Sequence, residues 1–116
     1  MQHINVPEQF SRHPAGRYLS DGPYNGELFR KNFLEPVVKK GTRVTVYLDG
    51  GRGYGSSFLE EAFGGLVRLG YSPEQVLALI SLVSKDTSLI REINKFIKEA
   101  RNKEDDKANA RRATAK

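Results

Sequence analysis

Apolar residues recur along this chain at two spacings that meet near its middle. Val44, Val46 and Leu48 alternate with Thr45 and Tyr47. That period-two run of β-branched and aromatic residues predicts a strand with one buried face. Leu59, Ala62, Phe63, Leu66 and Val67 then fall on one side of a 3.6-residue period, with Glu60, Glu61 and Arg68 elsewhere, which predicts an amphipathic helix. Between the two lie Gly50, Gly51, Gly53 and Gly55, a run that lets backbone adopt positive φ or approach another group without a Cβ clash. Ser57 followed by Glu60 predicts a capping box at the helix start, and Gly70 a left-handed stop at its end. Gly64 and Gly65 inside the helix each cost about 1 kcal/mol against alanine, and close approach of helix to sheet is the expected compensation.

The flanking segments follow the same two patterns. His3 to Val6 reads as a short strand ended by Pro7, and Phe10 to Gly26 as a turn-rich segment with a brief extended stretch at Arg17 to Ser20. Glu27 to Leu34 is the first predicted helix, burying Leu28, Phe29 and Phe33. Pro36 is expected to stop or kink it, with Val37 and Val38 carrying one more turn towards Gly41. After Gly70, Ser72 and Pro73 open a helical turn. The run LISLVS suits either the rest of that helix or a further strand, and a parallel strand at Leu79 to Val83 is the preferred reading. Asp86 or Thr87 caps a last helix whose stripe is Leu89, Ile90, Ile93, Phe96, Ile97 and Ala100. Alternating strands and helices define an α/β fold, a small sheet covered by helices. It occupies residues 1–100, followed by a basic tail over 101–116. Sites in such sheets favour the carboxyl ends of strands, where Asp49 to Ser57 lies.

Composition narrows the chemistry. At 116 residues and 38% hydrophobic, the chain is sized for one domain. It has no cysteine, and His3 and His13 are too few for a convincing zinc site, so neither metal nor cofactor is expected. The start MQHINVPEQF lacks a signal-peptide pattern, and no apolar run approaches the ~20 residues that span a bilayer. The expectation is a cytoplasmic protein with no membrane contact. Of the net charge of +5, residues 101–116 supply +3, from six Lys/Arg against three acids. Such a tail can give weak, salt-sensitive nucleic-acid affinity, although solvated termini of this composition are common.

The glycine loop invites comparison with a phosphate-binding loop. Gly50 and Gly55 stand at the right interval, but Ser56 occupies the place of the lysine, leaving Arg52 to supply charge and the backbone around Gly51, Gly53 and Gly55 to meet an anion. A nucleotide- or anion-binding domain is therefore one reading. Ser56 and Ser57 are caps or phosphoacceptors; capping accounts for at most one of them. Tyr54 is expected to be exposed for partner contact, or else packed over the first helix. Arg17, Asp21 and Arg30 either gather near the loop or form an ion pair that pins the turn-rich segment, the second being favoured. No Ser-His-Asp set, catalytic acid pair or metal cluster is legible, so an enzyme is not expected.

The runs GRYLSDGPYNGELFR, GYGSSFLEEAFGGLVR and SLIREINKFIKEA closely resemble the bacterial STAS-like family of unknown function, over about Ile4 to Ala100. That family is distantly similar to the STAS domains of anti-sigma-factor antagonists. There a strand leads into an Asp-Ser-Ser-Gly turn and a helix, and a partner ATPase of the histidine-kinase type phosphorylates the second serine. The resemblance implies that this serine corresponds to Ser57 and the preceding one to Ser56. The motif's acid falls on Gly55 and its glycine on Phe58, leaving Asp49 as substitute acid if the loop folds back. The resemblance thus implies a noncatalytic regulatory module that binds a protein partner, of which a histidine-kinase-type ATPase is the expected kind.

Overall fold

The computed structural model describes residues 2–100. Strands β1 (Gln2–Asn5), β2 (Val44–Tyr47) and β3 (Ile80–Val83) form one sheet in the order β1-β2-β3, parallel throughout. Ile4 pairs with Val46 and Val46 with Leu82, while His3, Thr45 and Ser81 occupy the next row. Because successive side chains point to opposite faces, Ile4, Val44, Val46 and Ile80 share one face and all four are buried. His3, Thr45, Tyr47, Ser81 and Val83 lie on the other, half-buried or exposed. The LISLVS run is thus a strand at Ile80–Val83, and it extends the sheet at the edge of β2 rather than covering a face.

The helices build their core against the Ile4 and Val46 face. Phe29, Leu34 and Val38 come from the first long helix, Phe58, Phe63 and Leu66 from the second, and Val76, Ile93 and Ile97 from the last two. Fully burying such a side chain is worth about 1.5–3 kcal/mol, and most are under 2% exposed. The short helix α1 (Val6–Gln9) begins directly after β1, capped by Asn5, whose side-chain oxygen accepts from the Glu8 amide at 3.1 Å. Pro7 therefore opens a helical turn, where its missing N–H costs nothing. The stretch after Arg17 tightens into a 3-10 turn, Leu19–Asp21, instead of continuing extended, because the Asp21 carboxylate folds back to accept from the Arg17 and Tyr18 amides.

Both long helices contain a π turn. Helix α2 runs through an α turn Gly26–Phe29, a π turn Arg30–Leu34 and an α stretch Glu35–Lys39. Helix α3 has the same construction, with Ser56–Leu59, a π turn Glu60–Gly64 and Gly65–Arg68. Pro36, expected to stop or kink α2 with one more turn through Val37 and Val38, sits just after its π turn, where the Glu35 amide reaches the Arg30 carbonyl five residues back. The widened turn carries the helix past the proline. Helix α4 (Pro73–Leu79) has the predicted Ser72 cap, and α5 (Thr87–Glu99) is capped by Asp86. No helix among the described residues is long and apolar enough to cross a membrane. The basic tail at 101–116, on which the expected nucleic-acid contact rested, lies outside the described residues.

Candidate functional site at the strand ends

Three chain segments converge at the carboxyl end of the sheet. The Leu48 amide continues the β2–β3 ladder by donating to the Val83 carbonyl at 3.0 Å. Asp49 follows, and its carboxylate accepts from the Ser84 hydroxyl at 2.7 Å and the Lys85 amide at 2.8 Å. These two hydrogen bonds, Ser84 first, hold its carboxyl below the usual range. Asp49 therefore ties the end of β2 to the start of α5 and does not hydrogen-bond to Ser56 or Ser57, as a substitute acid for the phosphoacceptor motif would.

The glycine loop then runs beside the turn-rich segment. The Arg52 amide donates to the Arg12 carbonyl at 2.6 Å, and the Gly55 amide to the Pro14 carbonyl at 3.2 Å. Gly50 and Gly53 have φ of 105° and 132°, where side chains are disfavoured, and a Cβ on Gly51 would stand 2.6 Å from the Arg12 carbonyl oxygen. The glycines are accounted for by the path of this loop, and two of its amides are consumed by carbonyls instead of facing an anion. Beneath it, Asn5, Pro7, Glu8, Arg12, Asp49 and Gly50 line a groove of about 410 Å³.

Tyr54 turns inward. Its hydroxyl donates to the Leu48 carbonyl at 2.6 Å and its ring stacks on Phe58 of α3, with centroids 6.3 Å apart. Burial, with a smaller push from the Asp49 charge, raises its pKa to about 12. The expected exposed aromatic is thus a half-buried brace of the loop, and it packs on α3 instead of the first helix.

Helix α3 is capped by Gly55, without a side-chain cap. The predicted Ser57–Glu60 capping box does not form, because Ser57 is the second residue inside the helix and the Glu60 carboxylate is held by arginines. Ser56 and Ser57 are both exposed. The Ser56 hydroxyl makes a long hydrogen bond to Glu92, 3.4 Å, and Ser57 makes no side-chain hydrogen bond among the described residues.

One turn further on, the charged side chains form a separate cluster. Arg30 pairs with Glu61 and, at 2.9 Å, with Glu35. Arg17 pairs with Glu60 and reaches Glu61 at 3.3 Å, and Arg68 reaches Glu60 at 2.6 Å and Glu61 at 3.2 Å. The Arg30 and Glu61 side chains are only 9% and 8% exposed. Burial is the largest influence on Glu60 and pushes its pKa up, but Arg68 and Arg17 outweigh it and leave the carboxyl below its usual range. The hydrogen bonds to Glu60 in turn raise Arg17 and Arg68. Gly64 and Gly65 serve this cluster and not helix–sheet approach: a Cβ on Gly64 would sit 2.6 Å from a Glu60 carboxylate oxygen, and one on Gly65 would run into the Arg30 guanidinium.

The structure therefore divides the predicted site residues into two groups. Asp49, Gly51, Arg52, Gly53, Tyr54, Gly55, Ser56 and Ser57 lie together at the strand ends. Arg17 and Arg30 meet through Glu61 inside the molecule, and Asp21 closes the turn that presents Arg17. Sequence reasoning missed Ser84 and Lys85, which orient Asp49, and Glu60, Glu61 and Arg68. For the acid pair a signal existed in the Gly64–Gly65 interruption of the helix; for Ser84 and Lys85 there was none. Among the described residues, no group of three or more His, Cys, Asp or Glu is placed to hold a metal ion.

A short parallel sheet, a loop at the end of its middle strand and serines opening the next helix define a small STAS-like α/β domain. Residues 25–88 match the family described as the STAS-like domain of unknown function (DUF4325), and the chain belongs to that family. The match runs from the start of α2 to the start of α5, narrower than the Ile4 to Ala100 resemblance. No curated protein and no solved structure matches the chain.

Proposed function

We propose that this chain is a noncatalytic regulatory module that binds a protein partner through Asp49 to Ser57 and the first turn of α3. Phosphorylation of Ser57, with Ser56 as the alternative acceptor, controls that binding. The observation that carries the reading is the Ser57 hydroxyl: exposed, in the first turn of a helix, and with no side-chain hydrogen bond among the described residues. Phosphate there breaks no side-chain hydrogen bond among the described residues. It adds about −2 of charge at a helix N-terminus, where the dipole favours it. The domain keeps its fold while its partner meets a surface of opposite character. By the resemblance to anti-sigma-factor antagonists, an ATPase of the histidine-kinase type is the partner expected.

The test is capture of partners from a native lysate on wild type, Ser57→Glu and Ser57→Ala, with identification by mass spectrometry. An ATPase or kinase retained by wild type and Ser57→Ala but lost by Ser57→Glu supports the switch. A Ser57→Ala protein whose binding still responds to the kinase moves the acceptor away from Ser57, and retention of no protein removes the partner-binding reading.

A further inference from the structure

A second surface lies away from the strand-end loop, on the outer side of α2. Lys31, Lys39, Lys40, Glu35, Pro36 and Tyr71 line a groove of about 610 Å³. Its charge is lopsided. Glu35 is held by Arg30 at 2.9 Å and Lys31 by Glu27 at 3.0 Å, whereas Lys39 and Lys40 are exposed and have no acidic partner among the described residues. Tyr71 is half-buried, packs against the core and lines the groove. A second, smaller groove shares Pro36 and Lys40 and carries the surface on to His3, Gln9 and Asn32. The two grooves thus form one track, with Lys31, Lys39, Lys40 and Tyr71 together on the larger.

We infer that this track binds single-stranded nucleic acid, with Lys39 and Lys40 on phosphates, Lys31 joining them by exchanging its weak, exposed pair with Glu27, and a base stacked on Tyr71. The cations of the track are lysines, which act as point charges without fixed bidentate geometry. That suits a repeating polyanion better than one small anion. Residues 31 and 39 are separated by roughly 12 Å of helix rise, about the axial span of three stacked nucleotides. A tyrosine ring among lysines is the usual platform for an unpaired base, which a duplex does not offer. The residues that line this surface do not include Ser56 or Ser57.

The test is fluorescence anisotropy of a labelled single-stranded oligothymidine of twelve nucleotides with the full chain, titrated at several salt concentrations. Three phosphate contacts predict a log–log salt slope of about −2, falling to about −0.7 for Lys39→Gln/Lys40→Gln. Tyr71→Ala is expected to weaken binding about tenfold while leaving the slope intact; Tyr71→Phe retains it. Circular dichroism of each variant confirms that the fold persists. An Arg111→Gln/Arg112→Gln chain separates the tail: affinity lost there and unchanged in the α2 and Tyr71 variants overturns the inference. So does equal competition by polyglutamate, which marks the track as a site for acidic protein, and so does no binding at low salt.

Discussion

The helix–helix junction and the strand-end loop use the same residue types, arginine, acid and glycine, to opposite ends. At the junction Arg17, Arg30 and Arg68 surround Glu60 and Glu61, Gly64 and Gly65 clear the space, and among the described residues no buried side-chain polar atom lacks a partner. At the loop the glycines shape a path over the surface, while the Arg52 side chain and the Ser57 hydroxyl have no hydrogen-bond partner among the described residues. Buried charge must be matched or it is costly; exposed charge is solvated and free to meet a partner. The difference separates residues that hold this fold from those available for function.

The largest effect that breaks the comparison comes from the junction. Arg30→Met leaves Glu61 buried without its principal partner and is expected to cost about 3–5 kcal/mol, read from the midpoint of urea unfolding at unchanged slope. A loss below 1 kcal/mol places the Glu61 charge in contact with water. Next, Gly65→Ala removes a poor helix former yet drives a methyl group into the Arg30 guanidinium. A loss of about 1–3 kcal/mol is expected from overpacking, and a gain in melting temperature instead assigns that glycine no packing role.

The pH dependence of stability sharpens the comparison further. The folded pKa of Glu60 lies below its unfolded value, so its contribution is present above the unfolded pKa of about 4.3 and is lost as pH falls through the folded value. Thermal melts from pH 7 down to pH 3 are expected to show this loss, and Glu60→Gln to flatten the acid limb while lowering stability at pH 7. An unchanged limb in the variant assigns the acid sensitivity to other carboxylates, Asp49 and Asp86 among them.

The smallest effects compare two helix starts. Ser72 accepts from the Gln75 amide at 3.1 Å as a true cap, so Ser72→Ala is expected to cost about 1 kcal/mol. Ser57→Ala, which breaks no hydrogen bond among the described residues, should stay within about 0.5 kcal/mol of wild type by thermal melting. Ser57→Glu should match or exceed wild type by about 0.3–1 kcal/mol through the helix dipole. A Ser57→Glu protein that unfolds shows the site unable to accept a phosphate without disrupting the domain.

The local elements were largely legible because their signals are local. Alternation fixed β2 through Val44 and Val46, helical spacing fixed α3 and α5, and Ser72 and Asp86 announced their caps within three residues of sequence. Ile80 to Val83 was ambiguous by itself, since a short apolar run suits strand or helix; its pairing with β2 settles the matter. The further turn expected after Pro36 at Val37 and Val38 forms, but the π turn before it was not legible, because it is held by contacts with α3. The stretch Asp49 to Ser57 comes together at the strand ends, but Asp49 and the Ser57 capping box were assigned partners close along the chain, and Tyr54 a place in solvent or over the first helix.

The sequence by itself determined the elements, their order, and the place where strand, glycine loop and helix meet, because period and capping depend on residues a few positions apart. Only the tertiary structure decided that Arg17 and Arg30 meet at Glu61, that Asp49 belongs to Ser84 and Lys85, and that the Ser57 hydroxyl has no partner among the described residues. Those pairings join residues 31 to 44 positions apart along the chain. Which acid an arginine finds at that separation is set by how two helices and a sheet pack, and no local pattern carries that information.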